Sequence, residues 1–258
     1  MLTRSGDGPA GVDLTVPIEL KPALPNGLAR KAVDTLGQWI VNDHFSPEAV
    51  MPTESQLAAT LGVGRATVRD AVKVLSGKGL IRTARRYGTR VTPVDSWNLL
   101  DGDVIGWHGR DHPRMRRIFA ETTELRTIVE PAAAVLAAQR ATEAQRAMIL
   151  AAARAMHPES DDRQTLFTAD CRFHVTILEA THNQVMQQMR QIILTMLRVS
   201  YEFGVRPGNA PVTRKGHVTV AEAIARHDPE AARTAMVDML HRNESIAEGY
   251  WLTPARAT

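Results

Sequence analysis

The sequence predicts a mainly α chain in two parts, an N-terminal winged helix-turn-helix and a C-terminal all-α antiparallel helical bundle. Three observations carry that prediction. First, a short amphipathic stretch at residues 54–61 is followed by Gly62, which suits a tight turn, and then by a second helix whose Val68, Ala71, Val72 and Leu75 form one apolar face. Arg65, Arg69 and Lys73 project together from another face of that second helix. Second, two short β-prone runs at 79–83 and 88–91 flank the basic turn Ala84-Arg85-Arg86-Tyr87, the pattern of a β wing. Third, residues 113–250 read as helix almost throughout, without strand-like alternation.

Composition agrees with this division. The 258 residues, 44% of them hydrophobic, suffice for two buried cores. No apolar run approaches the roughly 18 residues that cross a bilayer, and no basic region followed by an apolar one opens the chain, so a cytoplasmic protein with no membrane partner is expected. Cys171, the single cysteine, excludes an internal disulfide and reads as a packing residue. The net charge of +3 is unevenly spread: residues 28–92 hold ten Lys and Arg against five Asp and Glu, which leaves the remainder slightly acidic. The positive excess lies where DNA phosphates would need neutralising.

Taken in order, residues 1–27 contain four prolines and little periodicity, and a flexible leader is expected there. Leu28, Val33, Leu36, Ile40 and Val41 recur at roughly helical spacing, giving a first helix that supports the motif, with the winged-helix domain spanning 28–93. Residues 94–112 hold Trp97 and Trp107 in a short apolar segment broken by Asp and Gly, read as a linker that docks one domain on the other. The bundle is expected over 113–250, with helices near 115–140, 143–156, 163–181, 185–203, 212–226 and 229–248, and with 251–258 as a tail. Sites in such a bundle lie in the core between facing helices.

Met51-Pro52-Thr53-Glu54, Leu61-Gly62-Val63-Gly64-Arg65-Ala66-Thr67-Val68-Arg69-Asp70-Ala71, Gly79-Leu80-Ile81 and Gly88-Thr89-Arg90-Val91 occur in this order, and together they resemble the winged helix of the GntR family of bacterial transcription regulators. Glu124-Leu125-Arg126, Glu130-Pro131, Phe173-His174, Thr181-His182-Asn183 and Gly216-His217-Val218 resemble the FCD effector domain of that family's FadR subfamily. The segment 97–108 is similar to the same region of its sugar-acid-responsive members. The resemblance covers about residues 28–248 and implies a metabolite-responsive repressor that binds double-stranded operator DNA as a homodimer. It assigns DNA contact to Arg65, Thr67, Arg69 and Gly88; Lys73 from the same helix and Arg86 and Tyr87 from the wing turn complete the expected DNA face. Ser55 departs from the arginine common at that place in the family.

Asp170 and His174 stand one turn apart on one predicted helix, so a carboxylate and an imidazole share a face. By itself such a pair reads either as a hydrogen-bonded pair or as two ligands of one metal. In metal-binding FCD domains two further histidines complete the set; the resemblance places one at His217 and the other at Met239, whose thioether is a poor ligand for a hard or borderline ion. The expected site is therefore Asp170, His174 and His217 around a divalent metal, with Zn2+ the best fit, Ni2+ or Mn2+ the alternatives, and positions left open for an effector's oxygens.

Arg126 lies in a largely apolar helix, either as a surface residue or as a fixed partner for a carboxylate, and the resemblance favours contact with an effector. Asn183 and Thr213 would add an amide and a hydroxyl to the pocket, or serve as caps and turns. The implied effector is a small carboxylate, a sugar acid such as the aldonate D-galactonate. The competing reading is a metal-dependent hydrolase or lyase acting on a small hydroxy acid. Nothing in the sequence supplies a general base beside the metal, and that reading leaves the winged helix unexplained, so no catalytic residue is assigned.

Overall fold

The computed structural model describes residues 27–84, 86–109, 112–156, 163–203 and 211–252. Residues 1–26 of the expected leader, Arg85 of the wing turn and residues 253–258 of the expected tail lie outside the described residues. Two compact units divide between Ile118 and Phe119.

The N-terminal unit begins with α1 (Leu28–Val41), which buries Ala32, Val33, Leu36, Ile40 and Val41 along one stripe. Leu28, expected on that face, opens the helix and is 63% exposed. The helix α2 (Glu54–Leu61) starts at a capping box in which the Thr53 hydroxyl accepts from Gln56 N at 3.3 Å while Gln56 Oε1 accepts from Thr53 N at 2.9 Å. Gly62 ends α2 at φ +65°, a left-handed conformation that would strain a residue with a Cβ, and the chain turns into α3 (Arg65–Gly77). Val68, Ala71, Val72 and Leu75 of α3 are buried against α1 and α2, and Arg65, Arg69 and Lys73 are exposed on another face, as expected.

The wing is an antiparallel pair, β1 (Ile81–Ala84) and β2 (Gly88–Val91), with Ile81 opposite Val91 and Ala84 opposite Gly88. A third, unanticipated run pairs with the far side of β2: Met51 N donates to Thr89 O at 2.8 Å and Glu48 N to Val91 O at 3.0 Å. Residues 48–51 are confined between Pro47 and Pro52, too few to show a strand period in sequence.

Residues 94–112, expected to join the domains, contribute Trp97, Val104 and Trp107 to this same core. The short helix α4 (Gly102–Trp107) is capped by Asp101 and lays the Trp107 ring where a Cβ at Gly37 of α1 would stand. Charge reinforces this packing. Lys78, buried just after α3, donates from Nζ to Asp101 Oδ2 at 2.6 Å and to Asp103 Oδ2 at 3.0 Å, and Arg30 of α1 reaches the other oxygen of Asp103 at 3.0 Å.

The C-terminal unit is all-α among its described residues. The helix α5 (Pro113–Arg140) runs across the division between the units, and α6 (Glu143–Ala155), α7 (Arg163–Ala180), α8 (Gln184–Gln188), α9 (Arg190–Phe203), α10 (Pro211–Ala225) and α11 (Pro229–Leu252) follow. The helix α10 packs on α11 and α6, α6 on α7, and α7 on α9. Small residues of α5 and α6, among them Ala134, Ala137, Ala138 and Ala152, meet larger ones such as Phe173, Ile177, Ile193 and Leu197 in one core. The single helix expected over 185–203 is in fact two, parting at Met189. No helix among the described residues is long and apolar enough to cross a membrane.

A buried histidine makes the N-terminal unit sensitive to acid. His108 is 5% exposed; its Nδ1 donates to Val104 O at 2.8 Å, and Arg114 lies 3.4 Å from Nε2. Burial pushes its imidazole down to about 4; the nearby charges of Arg114 and His112 add to this, while the Val104 hydrogen bond and Asp43 oppose it. The unfolded chain takes up this proton near pH 6.5 and the native state only near 4, so the neutral form's contribution is intact above about pH 6.5 and is lost as pH falls towards 4, on the order of 3 kcal/mol at most. Denaturant unfolding followed by tryptophan fluorescence should show this decline, and His108→Asn should flatten it. A profile unchanged by the substitution would refute the assignment.

Candidate functional site

Two surfaces carry chemistry, one in each unit. On the N-terminal unit Arg65 opens α3 and is exposed, Thr67 is half-buried, and Arg69 and Lys73 are exposed one and two turns further on. Arg69 Nε and Nη2 both lie 3.4 Å from Glu54 Oε2, and Lys73 Nζ is 3.1 Å from Asp70 Oδ1. Such solvent-exposed pairs hold their partners weakly, by about 0–1 kcal/mol, so phosphates or bases can displace them. Arg86, at φ +75°, and Tyr87, 71% exposed, form the wing tip beside Gly88, whose φ of +75° again suits a residue without a Cβ.

In the C-terminal unit α7 places Asp170 and His174 one turn apart, and α10 brings His217 to them. Asp170 Oδ1 lies 3.4 Å from His174 Nε2 and 3.0 Å from His217 Nε2, and one donor atom of each residue lies within 4.8 Å of the others. The two imidazoles meet edge to face with centroids 5.5 Å apart, and the fully buried Phe173 ring packs edge-on against both. Around a tetrahedral ion with bonds of about 2.0–2.2 Å, donor atoms stand roughly 3.3 Å apart, so the spacing fits a divalent metal. The donor set of two imidazoles and a carboxylate fits as well. His174 Nε2, buried without an aligned hydrogen bond, is the kind of polar atom that a metal would satisfy.

At its other ring nitrogen His174 meets Glu130 of α5, with Nδ1 2.8 Å from Glu130 Oε2. Glu130 Oε1 accepts from Arg126 Nε at 2.6 Å, and Arg126 Nη1 donates to Ser200 Oγ of α9 at 3.0 Å. Of the two readings open for Arg126, the structure shows the fixed partner of a carboxylate, and that carboxylate belongs to the chain itself. Glu130 entered the sequence reading only as part of the family resemblance, with no role assigned to it. The signal was its position four residues after Arg126, the spacing of an intrahelical pair. Ser200 carried no such signal, since 74 residues separate it from Arg126.

These contacts decide the charges. Burial would raise the Asp170 carboxyl, but its close contacts with the His174 and His217 imidazoles outweigh it and hold the group well below the carboxylate range. Burial likewise opposes ionisation of Glu130, yet the charge of Arg126, with help from His174, brings it down to about 2. Burial disfavours the His174 cation, and it is outweighed by the charge of Glu130 and the close contact with Asp170, which lift the imidazole to about 9. Burial and the charge of Asp170 push the Cys171 thiol up, which leaves it inert.

Of the other expected residues, Asn183 is exposed and N-caps α8, its Oδ1 accepting from Val185 N at 3.0 Å and Met186 N at 3.2 Å; capping, the alternative held open for it, is the role the structure shows. Thr213 falls in α10, with its side chain outside the described residues. Met239 is packed in the core with its Cγ where a Cβ at Gly216 would come within 2.7 Å, so the position of the missing histidine is filled by a buried thioether chain.

A winged helix with exposed cations, joined to a helical bundle with a buried metal-capable triad, defines a class of DNA-binding regulator. Comparison with known proteins gives the family. Residues 28–91 match the bacterial regulatory proteins of the gntR family, and residues 121–242 match the FCD domain. The chain is 33% identical over 212 residues to the galactonate operon transcriptional repressor of Escherichia coli, covering 81% of this chain and 92% of that protein. It is 27% identical over 220 residues to the uncharacterized HTH-type transcriptional regulator YieP of Escherichia coli, covering 84% and 94% respectively. Its fold is similar to that of Lar, which controls the expression of the Listeria monocytogenes agr system, with a TM-score of 0.63 at 20% identity over 89% of this chain and 99% of that one. The chain belongs to the GntR family, in the FadR subfamily defined by the FCD domain, and is a DNA-binding transcription regulator and not an enzyme.

The metal reading has a pH signature. Without metal, the stabilising imidazolium–carboxylate contacts of His174 are fully present below about pH 6.5 and are lost as pH rises through about 9. A metal must displace that proton, so its affinity increases over the same window. The rise in Tm produced by Zn2+ should therefore be larger near pH 8 than near pH 6 and should vanish with a chelator. An equal or smaller shift at the higher pH would count against the triad.

Proposed function

We propose that the protein is a repressor that binds a pseudo-palindromic operator as a homodimer and responds to a sugar acid held at a divalent metal, with Zn2+ the best fit and D-galactonate or a close aldonate the effector. One observation carries the reading: three donor atoms from Asp170, His174 and His217 converge with a metal's spacing while supplying fewer ligands than such an ion takes. Charge narrows the ligand. Arg126 and Glu130 neutralise each other, so a divalent ion beside Asp170 leaves an excess positive charge in a buried setting, which favours a monoanion. A carboxylate and its neighbouring hydroxyl fit two adjacent coordination positions, whereas an acyl chain would bury these polar groups unpaired. The galactonate operon repressor, 33% identical, supports the aldonate class and the repressor role. Two-fold regulators match two-fold operators, which supports the dimer.

On the DNA side, Arg65→Ala or Arg69→Ala should weaken operator binding by about 1–3 kcal/mol where the residue reads a base, with smaller losses on random DNA, as measured by fluorescence anisotropy at fixed salt. Unchanged operator affinity in both variants would remove α3 as the reading helix.

On the effector side, His217→Ala removes one of the three proposed ligands and should abolish the response to D-galactonate while operator affinity stays within about tenfold of wild type. Mass spectrometry of metal content and circular dichroism of the folded variant serve as controls. A folded, metal-free variant that still responds to the aldonate would return Asp170, His174 and His217 to a structural role.

A further inference from the structure

We propose that Glu130 and Arg126 are the support of the metal site: Glu130 holds the proton of His174 on Nδ1 and so presents Nε2 as the ligand atom, and Arg126 fixes Glu130 in place. This rests on the metal reading of Asp170, His174 and His217. A neutral imidazole carries one N–H, and only its bare nitrogen binds a metal. In His174 the two nitrogens face different groups, Nε2 towards Asp170 Oδ1 at 3.4 Å and Nδ1 towards Glu130 Oε2 at 2.8 Å.

Both His174 Nε2 and Glu130 Oε2 are buried without an aligned hydrogen bond. A proton on Nδ1 directed at Glu130 together with a metal at Nε2 satisfies both atoms at once, once the ring turns to align that N–H. The opposite tautomer would aim the N–H at the point where Asp170 and His217 converge and set a ring lone pair 2.8 Å from a carboxylate oxygen, a repulsive contact.

Glu130 has little freedom to move away. It is 3% exposed, its second oxygen is engaged by Arg126 Nε at 2.6 Å, and Arg126, 4% exposed, is tied in turn to Ser200 of α9. The chain Ser200–Arg126–Glu130–His174 thus crosses from α9 through α5 to α7 and ends on Nδ1 of His174, opposite the ring nitrogen offered to the metal. Carboxylates placed behind metal-bound histidines orient the ring and make it a better ligand. In this role Arg126 and Glu130 are positioning residues, and the charge that an effector meets comes from the metal.

The test measures Zn2+ affinity of the full chain by chelator competition, with the nitrogen-15 spectrum of the histidine rings of the zinc-loaded protein as a second readout. Glu130→Gln should weaken Zn2+ binding about 10–100-fold, and Glu130→Asp, which keeps the charge, should recover part of the loss. In wild type the spectrum should show His174 protonated at Nδ1 and metal-bound at Nε2, with the Nδ1 proton exchanging faster in Glu130→Gln. A folded Glu130→Gln protein that binds Zn2+ within about threefold of wild type, or a wild-type spectrum with zinc on Nδ1, overturns the inference. Should the variant fail to fold, the wild-type spectrum decides by itself. A wild type that takes up no Zn2+ defeats the metal reading and this inference with it, an outcome distinct from normal zinc uptake indifferent to Glu130.

Discussion

The effector domain is organised around a line of polar and charged groups in an otherwise apolar bundle: Arg126, Glu130, His174, Asp170 and His217, each within 3.4 Å of the next. The Arg126 and Glu130 charges would not be stable alone at such burial, because an isolated charge in a low-dielectric core is strongly disfavoured. Each is tolerable only because the next compensates it, so α5, α7 and α10 are held in register by chemistry as well as by packing. Removing one member leaves its neighbour buried and uncompensated. The buried alanines that α5 and α6 contribute to the core and the Phe173 ring wedged against both histidines supply the apolar surroundings that make these electrostatics strong.

The N-terminal unit treats charge in the opposite way on its two faces. Beneath α3, Lys78 is locked between Asp101 and Asp103, and Arg30 completes the cluster, so the end of α3 is pinned to α1 and to the start of α4. Towards solvent, Arg69 and Lys73 pair only with the exposed Glu54 and Asp70. Buried pairs give rigidity and exposed pairs give cations that exchange partners readily, which is what a DNA-reading helix requires: a fixed scaffold that presents replaceable charges.

Placing the two chemistries in separate compact units has a thermodynamic consequence. An effector can alter DNA affinity only if it binds one arrangement of the regulator better than another, since a ligand of equal affinity for both shifts nothing. The triad suits that task because a metal and a proton there would differ in charge at a point shared by two helices. His217 from α10 and His174 from α7 report on the same oxygen of Asp170, so a ligand that recruits that oxygen acts on both helices together.

The winged helix was legible because its evidence is local. The period of Val68, Ala71, Val72 and Leu75, Gly62 at φ +65° and the paired runs around the wing each lie within a few residues of one another. The convergence of Asp170, His174 and His217 was half legible: the first two are one helical turn apart, while His217 was placed beside them by family resemblance and not by any period. Tertiary structure alone decided the rest. It set the 48–51 run against β2, drew Trp97 and Trp107 into the winged-helix core, gave Asn183 to a helix cap, and turned Arg126 towards Glu130. Helix and strand periods record which face of an element is apolar, so a sequence by itself determines its elements and their buried stripes. Which polar group on one helix meets which on another depends on distances set by packing across the core, between residues such as Arg126 and Ser200 that are 74 positions apart, and no local pattern encodes that distance.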